Sequence, residues 1–403
     1  MRIILFAGKG GVGKTSIAAA TGIVTARRGL KTLVMSLDPA HSLSDAFDLD
    51  TSLMDKNKGR PIEVAERLYI QELDIHEELA ENWGEVHRYL STLLNTSGIG
   101  DILAEELAVL PGMEEISALL HINRYVRNNT YDLIILDCAP TAESLRFVSL
   151  PTTLEWYMKK VFKLERRILS YVRPLASKLV DVPLPKDEYF AAIARLFERL
   201  KGADRLLTDM ETTSVRLVTN PEKMVLRETQ RAFMFFRLHQ LAIDAVIINR
   251  VLPDDAELSY LQDWQQSQKR YLDMAESFFN PVPILKAPLA RAEVLGLEPL
   301  AELGRNVYQD LDPAAVFYKR QPYQFLRENG HRKVKIHMPF VTNEELDLIK
   351  VGDELIIKAG NFKKSLILPR SFASLEPIGA KLEEDCLIVD FGGDNAGEEE
   401  SLD

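Results

Sequence analysis

The chain has 403 residues, enough for two or three domains, and 46% hydrophobic with 27% charged residues is typical of a soluble globular protein. This composition excludes a mainly disordered chain. The net charge of −11 argues against nucleic acid as the main partner, because duplex binding relies on basic patches. The longest apolar run near the amino terminus, residues 3–7, is too short for a membrane span or a signal-peptide core, so a cytoplasmic location is expected.

The cysteines and histidines show no pattern typical of an all-protein zinc site or a disulfide framework. The two cysteines, Cys138 and Cys386, form no CxxC pair and cannot build a set of disulfides. The seven histidines contain no HExxH pattern. A zinc site within one chain is therefore not expected, and one chain cannot supply three thiolates for a soft metalloid.

The first 310 residues alternate short buried strands with helices. A βαβ unit opens the chain, because a helix predicted over residues 17–26 lies between two apolar, β-branched runs. The predicted strands are residues 2–7, 32–37, 131–137, 214–219, 245–249 and 282–286. This alternation predicts a doubly wound α/β domain built on a parallel sheet.

Two long helical stretches interrupt the alternation, at about residues 76–127 and 152–207. In the second stretch, Val161, Leu164 and Ile168 recur at the spacing that places them on one face of a helix. Both stretches are predicted to form a helical subdomain inserted into the α/β domain.

The apolar pattern changes again near residue 333. Apolar residues alternate with polar ones at Val334, Ile336, Met338 and Phe340. Residues 333–392 are therefore predicted as a small all-β sandwich, with residues 311–332 as the linker to it. The last eleven residues, 393–403, hold five acids and no base, and are predicted to be a disordered acidic tail.

A glycine-rich segment follows the first predicted strand and opens the first predicted helix. It consists of Gly8, Lys9, Gly10, Gly11, Val12, Gly13, Lys14 and Thr15, followed by Ser16, and it satisfies GxxxxGK[ST]. Glycines let backbone N–H groups point at phosphate oxygens, and the helix N-terminus adds partial positive charge. Lys14 is predicted to reach the β- and γ-phosphates of ATP, and the Thr15 hydroxyl to ligate Mg²⁺.

Lys9 narrows the class of nucleotide site. A second lysine near the start of the loop marks the deviant Walker A proteins, in which this lysine reaches the nucleotide of a partner subunit. Its chemistry resembles that of an arginine finger, which offsets charge on the transferred phosphoryl group. The chain is therefore predicted to act as a homodimer, with a solvated loop lysine as the alternative.

Further segments, in their order along the chain, resemble the ArsA/Get3 family of ATPases, which includes arsenical pump-driving ATPases and targeting factors for tail-anchored membrane proteins. They are SLDPAHSLSDAF (36–47), PGMEE (111–115), DCAPT (137–141), LRF (145–147), NPE (220–222), INR (248–250) and PLARAEVLGL (288–297). The resemblance spans about residues 1–310 and implies a P-loop ATPase domain. In addition, residues 333–392 resemble the α-crystallin-like domain that follows the ATPase in some members.

The resemblance also implies roles for single residues. Asp38 would orient the attacking water or accept its proton, and Asp137, at the Walker B position, would hold Mg²⁺ through water. Asn249 and Pro288 would contact adenine, and Glu222 the nucleotide. The other residues of this nucleotide site are Leu289, Ala290, Arg291, Ala292, Glu293, Val294 and Leu295. A turn aspartate and a buried structural aspartate are the alternatives for Asp38 and Asp137.

Three departures from the family pattern affect the functional interpretation. Neither Cys138 nor Cys386 matches the metalloid ligands of arsenical pump ATPases. The interval between Asn249 and Pro288 contains no cysteine, so the zinc clasp of eukaryotic targeting factors is not expected, and packing and nucleotide must hold the dimer. Residues 142–143, which follow the DCAPT segment that resembles switch II of the family, are Ala-Glu in place of the usual Gly-His.

The family places a hydrophobic groove for a client helix on the inserted helices. The candidate client-binding residues are Leu107, Leu110, Met113, Trp156, Met158 and Phe162. The alternative for each is ordinary helix core. Residues 159–178 carry seven bases and one acid, which suits anionic lipid or acidic client flanks, or simply a solvated helix face.

The first functional hypothesis is thus a dimeric Mg²⁺-dependent ATPase that captures and releases hydrophobic segments of membrane proteins, with a possible membrane receptor. The alternatives are an ATPase subunit that drives an arsenite or other anion pump, a positioning or partition switch, and an ATP-regulated holdase chaperone whose β module binds clients.

Overall fold

The structure is a computed structural model, and it describes residues 1–38, 42–49, 57–96, 112–138, 141–158, 162, 187–253, 261–328, 330–360, 362–383 and 385–393. The strands of the first part are β1 Arg2–Ala7, β2 Thr32–Ser36, β3 Ile62–Ala65, β4 Leu68–Glu72, β5 Leu133–Asp137, β6 Thr213–Thr219, β7 Ile243–Val251 and β8 Ile284–Pro288. Its helices are α1 Lys14–Arg27, α2 Ser42–Ala46, α3 Ile75–Glu78, α4 Gly84–Thr96, α5 Met113–Arg127, α6 Thr141–Tyr157, α7 Asp187–Leu200, α8 Ala203–Thr208, α9 Lys223–Leu238, α10 Gln262–Phe279 and α11 Leu297–Tyr308, with a π-helical turn at Leu79–Trp83.

The eight strands form one sheet in the order β3-β4-β2-β5-β1-β6-β7-β8. Every neighbouring pair is parallel except β3 with β4. The predicted doubly wound α/β fold is confirmed, and each predicted strand is present with bounds shifted by a few residues. Strands β3 and β4 are not predicted from the sequence. The run LYIQE of β4 mixes polar with apolar residues and so lacks the continuous apolar pattern of the other strands.

Helices cover both faces of the sheet. Alternate residues of β1 point to opposite faces, so Ile3 and Leu5 enter one core while Ile4 and Phe6 enter the other. The first core is closed by α5, α9 and α10, and the second by α1 and α11. All six residues of β1 are buried, which explains the continuous apolar character of the strand.

The inserted helices pack mainly on one another. Helix α7 packs on α4, α5 and α6, and α8 connects this group to α6 and β6. The described parts of both predicted helical stretches are indeed helical, while residues 97–111, 159–161 and 163–186 lie outside the described residues. Among the residues that the structure describes, no helix is both long and apolar enough to cross a bilayer.

The carboxyl-terminal part is an all-β sandwich, as predicted. Its elements are β9 Tyr323–Glu328, β10 His331–His337, a 3-10 turn Asn343–Glu345, β11 Leu346–Val351, β12 Glu354–Ala359, β13 Phe362–Ile367, α12 Arg370–Ala373, β14 Gly379–Glu383 and β15 Cys386–Gly393. One sheet has the order β14-β15-β10-β9 and the other β11-β12-β13. Their facing apolar side chains, such as Val334, Ile357 and Leu387, form one buried core.

Two boundaries in this part differ from the prediction. Residues 311–332 are predicted as a linker, but Tyr323–Glu328 forms a strand that pairs with β10, so the β module begins earlier. The alternation in β9 is partly hidden by its charged end, Arg327 and Glu328. Gly393 ends β15 rather than opening a tail, and residues 394–403 lie outside the described residues.

The β module, residues 323–393, is seated on the carboxyl-terminal end of α9. Met234 and Leu238 of α9 belong to the core of the module. The Tyr323 hydroxyl donates a hydrogen bond to the Leu238 carbonyl oxygen. Phe340 adds a contact with the ring of Phe233, whose centroid lies 6.1 Å away. Helix α9 therefore joins the α/β part to the β module, and α10 adds ring contacts of Phe278 and Phe279 with Phe340.

Candidate nucleotide site

The glycine-rich segment, residues 8–13, connects the end of β1 to the start of α1. Strand β1 lies between β5 and β6, and the chain leaves it in one direction for β2 while β6, β7 and β8 follow on the other side. The loop therefore lies at a topological switch point, where open α/β sheets bind their ligands. Gly13 caps α1 without a side-chain hydrogen bond, so the helix N-terminus is open to an anion.

Two of the loop glycines are required by close contacts. A Cβ on Gly8 would lie 2.2 Å from the Val218 carbonyl oxygen, and a Cβ on Gly13 would lie 2.3 Å from the Asn249 amide nitrogen. Gly13 also has φ of 90°, a left-handed conformation that side chains disfavour. The loop is thus pressed against the ends of β6 and β7, which fixes its shape.

Lys14 and Thr15 follow the loop on the first turn of α1. The Lys14 ammonium donates a hydrogen bond to the Lys9 carbonyl oxygen at 3.3 Å, and so folds back over the loop. The Thr15 hydroxyl lies 3.3 Å from the hydroxyl of Ser42, the first residue of α2. Both predicted phosphate-site side chains therefore face the cradle formed by the loop.

Asp137 ends β5 and is fully buried. Within the described residues, neither of its carboxylate oxygens has a hydrogen-bond partner. Burial raises the pKa of Asp137 from 3.8 to about 7, against the opposing effects of the Thr15 hydroxyl and the Lys14 ammonium. A buried, unpartnered carboxylate is costly unless something binds it, so its position beside the phosphate loop suits a cation.

These residues fit Mg²⁺ better than a metal held by protein alone. In the described part of the chain, no three His, Cys, Asp or Glu side chains come together as ligands. Mg²⁺ usually keeps several waters and takes only one or two protein ligands together with phosphate oxygens. Thr15 and, through water, Asp137 could hold it in this way.

Asp38 lies two residues beyond β2, which pairs with β5 in the register Ser36 to Asp137. Its backbone N–H donates to the Ser36 hydroxyl at 3.1 Å, so the chain turns at this point. Asp38 is half-buried, and its negative charge adds to the effects that raise the pKa of Asp137. The structure therefore brings Asp38, Asp137, Lys14 and Thr15 together.

Lys9 lies on the outer side of the loop. Its ammonium is 3.9 Å from the Glu228 carboxylate on α9, and the side chain is 37% exposed. Such a long, partly exposed ion pair contributes little to stability, since surface pairs are worth about 0–1 kcal/mol. Lys9 can therefore leave Glu228 at little cost, which a reach toward a partner subunit requires.

Asn249 lies in β7 and contacts the phosphate loop directly. Its amide donates to the Val12 carbonyl oxygen at 2.8 Å, and its side-chain oxygen accepts the Arg250 N–H at 2.9 Å. Its predicted contact with adenine must therefore use the remaining N–H or lone pair. Glu222 is exposed at the start of α9, and nearby Asn220 has a buried side-chain oxygen without a partner in the described residues.

The predicted adenosine segment follows β8 along the same edge of the sheet. Most of residues 288–295 are exposed, and the Leu289 N–H donates to the Val251 carbonyl oxygen at 2.8 Å, at the end of the strand that carries Asn249. The segment ends at Gly296, whose N–H donates to the Ala46 carbonyl oxygen at 2.9 Å. It therefore connects the edge of the sheet to α2, the helix beside Thr15.

Glu72 is a residue of this region that the sequence did not indicate. It ends β4, and its carboxylate accepts the N–H groups of Leu43 and Ser44 at 3.0 and 2.9 Å. These amides open α2, so Glu72 holds that helix beside the phosphate loop. An acid at the carboxyl end of a buried strand is the pattern that could indicate Glu72 from the sequence. This pattern cannot be recognised unless β4 itself is predicted.

The candidate client-binding residues fall into three groups. Met113 is 1% exposed and lies in the main core, which agrees with the alternative of an ordinary core residue rather than with client binding. Met158 and Phe162 line a cavity of about 600 Å³ among the inserted helices, together with Leu119, Pro151, Leu154 and Phe197. Leu107 and Leu110, and the side chain of Trp156, lie outside the described residues.

Comparison with known families identifies both parts of the chain. A family described as anion-transporting ATPase matches residues 1–309, and one described as an HSP20-like domain found in ArsA matches residues 329–391. Both matches agree with the resemblance that the motifs indicate.

Three relatives illustrate the similarity. A protein of Aquifex aeolicus named arsenical pump-driving ATPase 1 is 49% identical over 393 residues, or 96% of this chain and 99% of that protein. A Chlorobaculum tepidum protein named arsenical pump-driving ATPase is 35% identical over 404 residues, covering 99% and 98% of the two chains. The protein named ATPase get3 of Pyrenophora tritici-repentis is 27% identical over 321 residues, covering 78% and 93%.

Proposed function

The chain belongs to the ArsA family of ATPases, and we propose that it works as a cytoplasmic, Mg²⁺-dependent homodimer of the deviant Walker A class. In this proposal, ATP turnover is coupled to the capture and release of hydrophobic client segments. The observation that carries the proposal is the buried Asp137, which has no hydrogen-bond partner among the described residues and lies beside the open N-terminus of α1. In its most specific form, the proposed function is the targeting of tail-anchored membrane proteins, an activity found in the family.

In the proposed reaction, the phosphates of ATP lie along residues 8–13. Backbone N–H groups and the Lys14 ammonium offset their charge, and Asp38 orients the attacking water and accepts its proton. Mg²⁺, when bound, would neutralise charge on the β- and γ-phosphate oxygens. Because Asp38 and Ser42 flank the loop on the β2 side, hydrolysis at this point can alter the positions of these two residues.

The proposed dimer uses Lys9 in trans. The Lys9 side chain is 37% exposed and only loosely paired with Glu228, so it is available to a nucleotide in a facing subunit. There it would offset charge that develops on the transferred phosphoryl group. Closure of the dimer and turnover would then depend on the same side chain.

The proposed client surface starts from the cavity beside Met158 and Phe162. Its volume of about 600 Å³ and its apolar walls suit the side chains of an apolar helix. Glu155, Glu198, Lys201 and Arg205 stand around it, which is the usual arrangement of a polar rim at a binding site.

Replacement of Asp38 by Asn tests the hydrolytic half of the proposal. The amide cannot accept the proton of the attacking water, so we expect Mg·ATP to bind normally while turnover falls at least a hundredfold. Asp48→Asn is the matched control, since Asp48 is an exposed acid shortly after α2. Turnover of Asp38→Asn close to that of the control would refute the catalytic role.

Replacement of Lys9 by Ala tests the dimer. We expect loss of ATP-dependent dimer formation, measured by light scattering of the intact chain, together with loss of turnover. Glu228→Gln is the control, because it removes the partner that holds Lys9 within one chain while leaving the lysine in place. An unchanged ATP-dependent dimer in Lys9→Ala would contradict the trans role.

Client capture can be measured with a fluorescent peptide that carries one apolar membrane-spanning segment. Met158→Asp places a charge in the wall of the cavity and should weaken capture at least tenfold. Leu311→Asp is the control, because Leu311 is an exposed apolar residue away from this cavity. Equal capture by both variants would remove the cavity from the proposal.

A holdase activity of the β module is a second candidate function. Ile349, Val351 and Ile367 are 52%, 60% and 58% exposed on the β11-β12-β13 sheet. If this apolar surface binds clients, Ile349→Asp combined with Val351→Asp will abolish capture while Met158→Asp leaves it intact. A role in driving an anion pump, as the names of two relatives suggest, predicts that arsenite stimulates ATP turnover.

A further inference from the structure

A second cavity lies between α9 and the β module. It has a volume of about 350 Å³, and it shares no residue with the phosphate loop or with the cavity among the inserted helices. Helix α9 contributes Arg227, Gln230, Arg231 and Met234, and the β module contributes Phe340, Val341, Glu345, Ala359 and Gly360. The cavity is thus formed only where the two parts of the chain meet.

Its polar side carries two cations, Arg227 and Arg231, and one acid, Glu345. Arg227 and Arg231 are four residues apart, so they stand on the same face of α9, where like charges repel. Neither forms an ion pair or side-chain hydrogen bond within the described part of the chain. Glu345 pairs with neither arginine, and its Oε2 instead accepts the N–H and hydroxyl of Thr342, each at 3.1 Å.

Most of the remaining wall of the cavity is apolar. Met234 and Ala359 are buried, and half-buried Phe340 and Val341 complete the wall. The buried Gln230 supplies an amide between the two arginines along α9. A ligand that satisfies both sides must carry negative charge at one end and apolar surface at the other.

We propose that this cavity binds a small amphipathic anion, in which a phosphate or carboxylate group meets Arg227 and Arg231 and a short apolar chain lies against Phe340 and Val341. Paired guanidinium groups are well suited to such oxyanions, because each offers several N–H donors as well as charge. A volume of about 350 Å³ falls at the lower end of small-molecule sites, which favours a small ligand over a peptide segment. This site is separate from the proposed ATPase and client functions.

Decyl phosphate is a suitable probe, added below its micellar concentration to the intact chain without nucleotide and followed by titration calorimetry. We expect one molecule to bind per chain, with affinity at least tenfold greater than that of inorganic phosphate and of decanol. Decanol binding as tightly would refute the role of the arginines, and phosphate binding as tightly would refute that of the apolar wall. If a hexaglutamate peptide binds and decyl phosphate does not, the proposal of a small ligand is wrong and an acidic segment of a protein is the better candidate.

Variants then assign the binding to this cavity. Arg227→Gln combined with Arg231→Gln should weaken decyl phosphate binding at least tenfold, and each single change should weaken it less. Arg305→Gln, which alters an exposed arginine of α11, is the control and should bind as the unchanged chain does. Both arginines are exposed, so the variants should fold normally, as checked by circular dichroism. Unchanged binding in the double variant would overturn the proposal, whatever the outcome for ATP hydrolysis.

Discussion

Alanine at position 13 tests whether the phosphate loop depends on one side chain of β7. Gly13 has φ of 90°, and a left-handed conformation costs an alanine about 1–2 kcal/mol. In addition, the new Cβ would lie 2.3 Å from the Asn249 amide nitrogen, closer than such atoms can approach. Asn249 must therefore move and release the Val12 carbonyl oxygen, which adds about 1–3 kcal/mol for a buried group left unpaired.

Gly11 provides the matched control. It has a similar φ of 80°, but a Cβ there would meet no atom within 4 Å. Gly11→Ala should thus carry only the backbone penalty of about 1–2 kcal/mol, while Gly13→Ala should cost about 2–5 kcal/mol. The comparison removes the effect of alanine on the unfolded chain, because both substitutions are identical in that state.

The free energy of unfolding can be measured by urea denaturation in the absence of nucleotide. Asn249→Ala should relieve the clash, so the double variant with Gly13→Ala should be more stable than the sum of the single effects implies, by about 1–3 kcal/mol. Equal costs at positions 11 and 13, or strict additivity with Asn249→Ala, would refute the proposed contact.

Three other predictions concern the surroundings of the site. Glu72→Ala removes a charged acceptor worth about 1.5–3 kcal/mol, so hydrogen exchange at the Leu43 amide should accelerate about tenfold to a hundredfold, whereas unchanged exchange would mean that α2 is held otherwise. Burial, then nearby cations, lower the pKa of His337 to about 4, so only the unfolded chain takes up its proton between about pH 4 and 6.5. On acidification through this range, the free energy of unfolding should fall faster in the unchanged chain than in His337→Gln, by up to about 1.4 kcal/mol per pH unit. Above about pH 7 the two slopes should be equal. Tyr323→Phe should lower the urea-unfolding free energy by about 1–2 kcal/mol, because the Leu238 carbonyl oxygen loses its hydroxyl donor; an unchanged value would show that this bond does not stabilise the β module on α9.

Most of the fold could be predicted from local patterns. Strands such as β1 and β5 are buried on both faces, so their sequences are continuously apolar and easily recognised. Strands β4 and β9 were missed because they carry charged residues at their ends, among them Glu72 and Glu328. In both strands the deciding contact is with a neighbouring strand, which no local pattern records.

The phosphate loop and the family can be recognised from local motifs alone, because the glycines, Lys14 and Thr15 must occur at fixed spacing for the backbone to surround a phosphate. The sequence by itself also determined the acidic average and the scarcity of cysteine that argue against a zinc clasp and a thiolate site for metalloids. Three features of the site become visible only in the folded chain: Asp137 has no partner among the described residues, Asn249 is pressed against the loop, and Lys9 pairs with Glu228. These contacts join residues far apart in the sequence, and their energies depend on burial and distance, which arise only when the sheet brings the strand ends together.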